Sequence, residues 1–307
     1  MAEEGSRRFL RRYAWLSIGA AVATMAIKTI AYLLTGSVGL LSDAVESIVN
    51  LVGAVMALWM LTIAAREPDE EHAYGHSKAE YFSSGVEGTL IVIAALSIGV
   101  AAGRRLLVPR PIEDLGIGLL VSTGASIVNL ITARVVLAAG RRFDSVTLQA
   151  NAHHLMTDVW TSVGVLAALG AVYATGWHVL DPIVALGVAV NIVVTGVRIV
   201  NESVRGLMDT ALPPEDQQVL RAAIEKHAAA GVQYHALRSR QSGSRKFISV
   251  HVLVPGDWTV HRGHELVEEI EHEVRAARPG ISVFTHLESL EDPASWEDQA
   301  LDRSRRK

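Results

Sequence analysis

The chain has 307 residues, of which 50% are hydrophobic, 6% aromatic and 20% charged, and its formal net charge is −4. This composition is too apolar for an ordinary soluble enzyme, and a slight acidic excess argues against a nucleic-acid partner. The absence of cysteine excludes disulfides, iron–sulfur clusters and thiolate metal sites, so any metal must be held by nitrogen and oxygen donors.

The longest apolar stretches predict a membrane domain. A run of about 20 residues with almost no charge is long enough to cross a bilayer as a helix. The sequence predicts six such spans, at residues 14–35, 37–64, 83–103, 115–138, 149–175 and 180–204.

The basic residues predict the orientation of these spans. An even number of spans places both termini on one side, and basic residues concentrate before the first span and in the second and fourth loops. By the positive-inside rule, we expect a multi-pass protein of the cell (inner) membrane with both termini cytoplasmic. Three residues of the third loop oppose this orientation: Arg104, Arg105 and Arg110.

The sequence becomes charged and amphipathic after Asp209, starting with Pro213-Pro214. Helical and strand periodicities there predict the order α-β-β-α-β, a small sheet covered by helices on one face. The predicted elements are helices at 214–229 and 259–277 and strands at 234–240, 246–254 and 281–288. The predicted domains are a six-helix transmembrane domain at 1–210, a cytoplasmic metal-binding and dimerisation domain at 211–291, and a polar tail at 292–307.

Two spans carry polar residues at helical spacing. Glu46 and Asn50 lie four residues apart in span two, as do His154 and Asp158 in span five. Each pair therefore shares one helix face. Ionisable residues within a span mark a site or pathway, and if the faces meet they supply four nitrogen and oxygen donors for a divalent metal. The alternative is that they only bind the helices to one another.

Single polar residues also occur in other spans, and these are interpreted as structural. Asn129 in span four and Asn191 in span six belong to this group. An isolated amide in a span commonly hydrogen-bonds to a neighbouring helix.

The second loop contains a further donor set. Asp69, His72 and His76 are three and four residues apart, which suffices for a three-donor metal site with an open position. An acidic loop with two histidines is also compatible with simple solvated surface.

Histidines mark one face of the predicted cytoplasmic sheet. The apolar face of the strand 246–254 should meet the helices, which leaves His251 on the opposite face. His286 and Glu288 likewise share one side of their strand. This face is a candidate binding or dimer surface, and the alternative is exposed histidine without a ligand.

Together these motifs resemble the cation diffusion facilitator family of metal transporters, particularly its bacterial zinc and iron effluxers. The resemblance covers about residues 10–290. It is carried by GSVGLLSDAVESIVN, DEEHAYGHSKAE, ANAHHLMTDVWTS, Asp181-Pro182, YHALRSRQSGSRKFISVHV and THLE.

The resemblance implies a homodimer in the lipid bilayer that exports Zn²⁺ or Fe²⁺ from the cytoplasm in exchange for protons, and is not an enzyme. A divalent ion would be both the substrate and a structural ligand of the cytoplasmic domain. By this resemblance the transport site is Glu46, Asn50, His154 and Asp158, the loop site is Asp69, His72 and His76, and the cytoplasmic sites are His235, His251, His264, His286 and Glu288. The implied proton carriers are His154, Asp158 and Glu46, and the implied charge interlock between protomers is Lys78 with Asp209.

One position departs from the family pattern. Zinc transporters of the family usually have a second carboxylate where this chain has Asn50. Because oxygen-rich sites also suit Fe²⁺ and Mn²⁺, an Mn²⁺-preferring exporter is an alternative. A membrane metallohydrolase and a metal sensor are rival functions, but the sequence has no H-E-x-x-H motif and the intramembrane donors argue against a sensor.

Overall fold

The computed structural model describes residues 2–35, 38–107, 116–177 and 179–297. The chain divides into two compact units between Arg205 and Gly206. The first is helical and the second mixes helices with a three-stranded sheet. The predicted fold class, a helical membrane domain followed by a small α+β domain, is confirmed.

Long helices form the first unit, and each of the six predicted spans overlaps one of them. They are α1 (Ala2–Thr35), α2 (Val38–Ala64), α3 (Ala79–Leu107), α4 (Gly116–Arg142), α5 (Val146–Thr175) and α6 (Leu180–Leu207). Within the described residues, segments of α1, α3, α4 and α6 are long and apolar enough to cross a membrane. The count of six membrane spans therefore stays a prediction.

Small residues allow α3 and α6 to approach closely. A Cβ atom on Gly88 of α3 would lie 3.1 Å from the backbone oxygen of Gly196 on α6, and one on Gly196 would lie 3.0 Å from the oxygen of Gly88. Such contacts drive helix association in lipid, where burial of apolar surface gives no advantage. Beside this contact, Ile91 of α3 packs with Ile192 and Ile199 of α6.

The second unit folds in the predicted α-β-β-α-β order. Its elements are α7 (Pro214–Glu225), β1 (Gln233–Ser242), β2 (Arg245–Val254), α8 (Val260–Ala277) and β3 (Ile281–Ser289). The central strand β2 pairs antiparallel with β1 and parallel with β3. Because a parallel pair needs a crossover connection, α8 lies between β2 and β3 in the chain.

Alternation along β2 determines the face that the helices cover. Ile248, Val250 and Val252 are fully buried in a core that also contains Leu266 and Ile270 of α8. Successive residues of a strand point to opposite faces, so His251 lies on the face away from this core.

The beginning of the predicted polar tail is more ordered than the sequence suggested. Pro293–Trp296 forms a short 3-10 turn, capped by the Asp292 carboxylate, which accepts a hydrogen bond from the Ala294 N–H at 2.9 Å. The indole N–H of Trp296 donates to the Leu290 carbonyl at 2.9 Å. An aromatic residue and an Asx cap therefore attach this segment to the domain. Residues 298–307 of the predicted tail lie outside the described residues.

Candidate metal sites

The polar faces predicted for spans two and five meet inside the helical unit. Asn50 of α2 is 4% exposed, and His154 and Asp158 of α5 are 5% and 8% exposed. The four-residue spacing of His154 and Asp158 places both side chains on the same face of α5. The structure therefore brings together three of the four residues predicted for the transport site.

The Asn50 amide connects the other two side chains. Its Nδ2 donates to Asp158 Oδ2 at 2.5 Å, and its Oδ1 lies 2.6 Å from His154 Nε2. While Asp158 is ionised, the opposite amide orientation would set Oδ1 against a carboxylate oxygen, with no proton between two acceptors. In that ionisation state Asn50 Oδ1 accepts a hydrogen bond from His154 Nε2.

A residue of α4 completes this cluster. Asn129, which is 2% exposed, donates from Nδ2 to the same Asp158 oxygen at 2.8 Å. Among the described residues, Asn129 Oδ1 and His154 Nδ1 are buried polar atoms without a hydrogen-bond partner. The sequence interpretation treated Asn129 as a structural amide that hydrogen-bonds to a neighbouring helix, and it did not identify Asp158 as the partner. The only signal of this contact was an amide within an apolar span.

Glu46, the fourth residue of the predicted quartet, lies in α2 one turn before Asn50. Its side chain is outside the described part of the chain. Its inclusion in the transport site stays a prediction.

The loop residues form a second cluster, between α2 and α3. Asp69 Oδ1 lies 3.1 Å from His72 Nδ1, and Asp69 Oδ2 lies 3.3 Å from His76 Nε2. The two imidazole rings are 4.3 Å apart. Their donor atoms lie within 4.8 Å of one another, so a single ion could contact all three side chains.

The pKa of Asp69 lies below its ordinary value. Loss of hydration raises this pKa. The hydrogen bonds from the backbone N–H and the ring of His72, together with the nearby charges of His72 and His76, lower the pKa by more than hydration loss raises it. Asp69 is therefore ionised across the physiological pH range. Metal binding here should depend on pH through the two imidazoles, which must lose their protons to bind.

Strand register creates the third cluster. His235 of β1 pairs with His251 of β2, which in turn pairs with His286 of β3, so the histidines form a row across one face of the sheet. The register shifts just after His235, where Ala236 has a positive φ of 49°. This bulge interrupts the β1–β2 pairing directly beside the row.

Glu288 provides the carboxylate of this cluster. Its oxygens lie 3.0 Å from His235 Nε2, 3.3 Å from His251 Nδ1 and 3.4 Å from His286 Nε2. The side chains of His235, His251 and Glu288 are at most 17% exposed, whereas that of His286 is 62% exposed. The buried trio is thus a compact set of two imidazoles and one carboxylate, with His286 at its edge.

The remaining predicted positions lie outside these clusters. His264 is exposed on α8 and is not one of the donor atoms grouped around Glu288. Asp209 forms an ion pair with Arg240, with 3.3 Å between Oδ1 and an arginine nitrogen. The interlock of Lys78 with Asp209 joins residues of different protomers and different units, so it stays a prediction.

Comparison with known protein families identifies the chain. The profile of the cation efflux transmembrane domain matches residues 14–208, and that of the cytoplasmic domain of cation efflux proteins matches residues 212–290. The chain belongs to the cation diffusion facilitator family. The family resemblance seen in the sequence is therefore confirmed, and the protein is a membrane-embedded metal transporter that carries the family's cytoplasmic dimerisation domain.

Individual relatives of this efflux family align over most of the chain. An uncharacterised transporter of Synechocystis sp. is 51% identical over 290 residues, which are 94% of each chain. The cation-efflux pump FieF of Salmonella arizonae is 30% identical over 289 residues, also 94% of each chain. A solved CzrB chain is 33% identical and covers 25% of this chain and 96% of its own, with a TM-score of 0.24.

The contact of Asn129 with Asp158 predicts a role in metal binding. Asn129→Ala should weaken Zn²⁺ binding at the transport site by about 10- to 100-fold, because Asp158 loses a donor that orients it. Purified full-length protein would be titrated with Zn²⁺. The binding signal of Asp158→Ala, measured in the same way, would be subtracted to remove the contribution of the loop and cytoplasmic sites. Asn191→Ala is the matched control, because Asn191 is exposed on α6. Equal affinities of both variants would contradict the role of Asn129.

The buried trio predicts a metal site in the cytoplasmic unit. His251→Ala should weaken Zn²⁺ binding to this unit by at least about tenfold, and affinity should fall as the pH is lowered, because imidazoles must be deprotonated to bind. Calorimetric titration of the unit expressed alone measures both effects. His261→Ala is the control, since His261 is 80% exposed and lies 3.4 Å from Glu265. If His261→Ala and His251→Ala behave alike, the trio is ordinary surface.

Proposed function

We propose that the protein exports Zn²⁺ or Fe²⁺ from the cytoplasm in exchange for protons, with Mn²⁺ as the alternative substrate. The observation that most supports this proposal is the buried cluster of Asn50, His154 and Asp158 inside the helical unit. Polar and ionisable groups are costly in a membrane, and their usual role there is in an ion pathway.

The donor types support a divalent transition metal. Asn50 and Asp158 offer oxygen, His154 offers nitrogen, and Glu46 would add a second carboxylate. With His154 neutral, such a site carries two negative charges, which match one divalent ion. Its oxygen content suits Fe²⁺ and Mn²⁺ as well as Zn²⁺.

The hydrogen bonds of the cluster support proton coupling. A metal that binds Asp158 Oδ2 must displace at least one of the two amide hydrogen bonds that this atom now accepts, although the Asn50 and Asn129 amides keep their protons. Binding to His154 Nε2 also requires the proton on that nitrogen to leave or to move to Nδ1. Metal and protons therefore compete for the same atoms, with His154, Asp158 and Glu46 as proton carriers.

The remaining features fit a dimeric exporter. We infer an inner-membrane homodimer with both termini cytoplasmic, in which Lys78 and Asp209 form a charge interlock between protomers. In this orientation the loop cluster around Asp69 lies at the cytoplasmic surface, where it could receive the ion before the transport site. The trio around Glu288 would hold ions that stabilise the cytoplasmic dimer.

Transport by proteoliposomes tests this function directly. Wild-type protein should accumulate Zn²⁺ or Fe²⁺ when a pH gradient is imposed, and Asp158→Ala should reduce this uptake to the level of empty liposomes, because it removes the carboxylate at the centre of the cluster. Asn191→Ala should transport like wild type. Gel filtration would confirm that each variant is folded and of the same size. Wild-type rates in Asp158→Ala would contradict the transport site.

Asn50 should control both affinity and pH dependence. Asn50→Asp replaces a neutral amide oxygen with a carboxylate, so divalent metal should bind more tightly at neutral pH. The new carboxylate also binds a proton, so uptake should depend more steeply on pH between about 5 and 7. Parallel measurements of affinity and uptake on wild type and variant check this expectation. If neither quantity changes, Asn50 is not a ligand.

A further inference from the structure

A second buried polar cluster lies in the helical unit, outside the proposed ligand set. Ser17 Oγ of α1 donates to Asn151 Oδ1 of α5 at 2.6 Å, and Asn151 Nδ2 donates to Glu87 Oε1 of α3 at 3.2 Å. Ser17 and Glu87 are 0% exposed and Asn151 is 2% exposed. Three helices thus contribute to a chain of hydrogen bonds that ends at a carboxyl group.

This cluster lies one helical turn from the proposed transport site. Asn151 precedes His154 by three residues on α5, and Gly53 follows Asn50 by three residues on α2. A Cβ atom on Gly53 would lie 3.8 Å from Glu87 Oε1, so α2 also passes close to this carboxyl. Three residues rise about 4.5 Å along a helix. Both displacements lead toward the end of the bundle that carries the α2–α3 loop.

The surroundings of Glu87 offer a negative charge only one hydrogen bond among the described residues. Among the described residues, its Oε2 has no hydrogen-bond partner, and the one hydrogen bond to its Oε1 comes from a neutral amide. Burial of an ionised carboxylate without a cation or several donors is costly. The charged groups that act on His153 of α5, two residues after Asn151, are Glu202 and Arg198 of α6 and Arg141 of α4. Helix α2 has no titratable residue between Asn50 and Ala64.

Glu80 provides a contrast on the same helix. It is two turns before Glu87 and 2% exposed, but Ser145 Oγ donates to its Oε2 at 2.5 Å. The backbone oxygen of Glu80 also accepts from Thr147 Oγ1 at 3.1 Å. Both the carboxyl group and the backbone oxygen of Glu80 therefore accept hydrogen bonds. Among the described residues, Oε2 of Glu87 accepts none.

We propose that Glu87 is a proton-binding site of the transport cycle, separate from the metal ligands. The inference rests on the proposed proton antiport. A divalent ion at the Asn50–His154–Asp158 cluster adds positive charge one turn away, which favours the ionised form of Glu87. One proton leaves the Glu87 carboxyl as the metal binds, and one returns as the metal departs. Glu87 then supplies a titratable carboxyl one turn from Asn50, which cannot titrate.

Counting protons tests this role. Full-length protein in weakly buffered detergent solution would receive Zn²⁺, and the protons released per bound ion would be measured with a pH-sensitive dye. Glu87→Gln should bind Zn²⁺ but release about one proton fewer than wild type, because the amide cannot titrate. Glu87→Asp should restore the wild-type count. In an Asp158→Ala background, adding Glu87→Gln should no longer change the count, because the transport site no longer responds.

Glu80→Gln is the matched control, since it removes a buried carboxyl from the same helix, and its proton count should equal that of wild type. An unchanged count in Glu87→Gln would overturn the proposal, and so would loss of Zn²⁺ binding at every pH, which would make Glu87 a ligand. Thermal melting would verify that Glu87→Gln is folded, and Glu87→Asp tests the role independently if it is not. If wild-type liposomes show no proton coupling, the proposed antiport itself fails.

Discussion

A polar group in the middle of a membrane protein has only other protein groups as partners, and the helical unit is organised around this constraint. The Asn50 amide meets it by donating to Asp158 and accepting from His154, while Asn129 donates to the same carboxylate. These contacts join α2, α4 and α5. The polar residues that make the bundle suited to ion transport are thus the residues that hold its helices together without an ion.

The same constraint explains why transport and proton movement should be linked. An ion that enters the Asn50–His154–Asp158 cluster binds through atoms of His154 and Asp158 that also bind protons, so any proton on those atoms must move or leave. The cluster of Ser17, Asn151 and Glu87 extends this polar interior by one turn to Glu87, a buried carboxyl that has no charged partner in the part of the chain that the structure describes. The loop cluster and the cytoplasmic cluster each contain at least two imidazoles, whereas the transport cluster contains one. Their carboxylates also lie outside the predicted membrane spans.

Periodicity predicted the fold well, because each unit follows one simple pattern of apolar residues. Continuous apolar runs gave the helices of the first unit, and alternation in β2 correctly placed His251 opposite the buried face of Ile248 and Val250. Spacing also identified which side chains share a helix face. It could not reveal which helix lies opposite that face, so Asp158 was not identified as the partner of Asn129. Glu87 and Asn151 each carried a signal, a polar group within span three or span five, that the sequence interpretation did not use. The ordering of Trp296 was missed because composition alone marked the tail as polar.

The proposed transport cycle requires the ion to bind between Asn50, His154 and Asp158. A crystal structure of the full chain with Co²⁺, located by its anomalous scattering, would show whether it does. We expect a peak at about 2.0–2.3 Å from His154 nitrogen and Asp158 oxygen, with the Asn50–Asp158 hydrogen bond broken. Peaks only beside Asp69 or Glu288, with that hydrogen bond intact at its present 2.5 Å, would contradict the account.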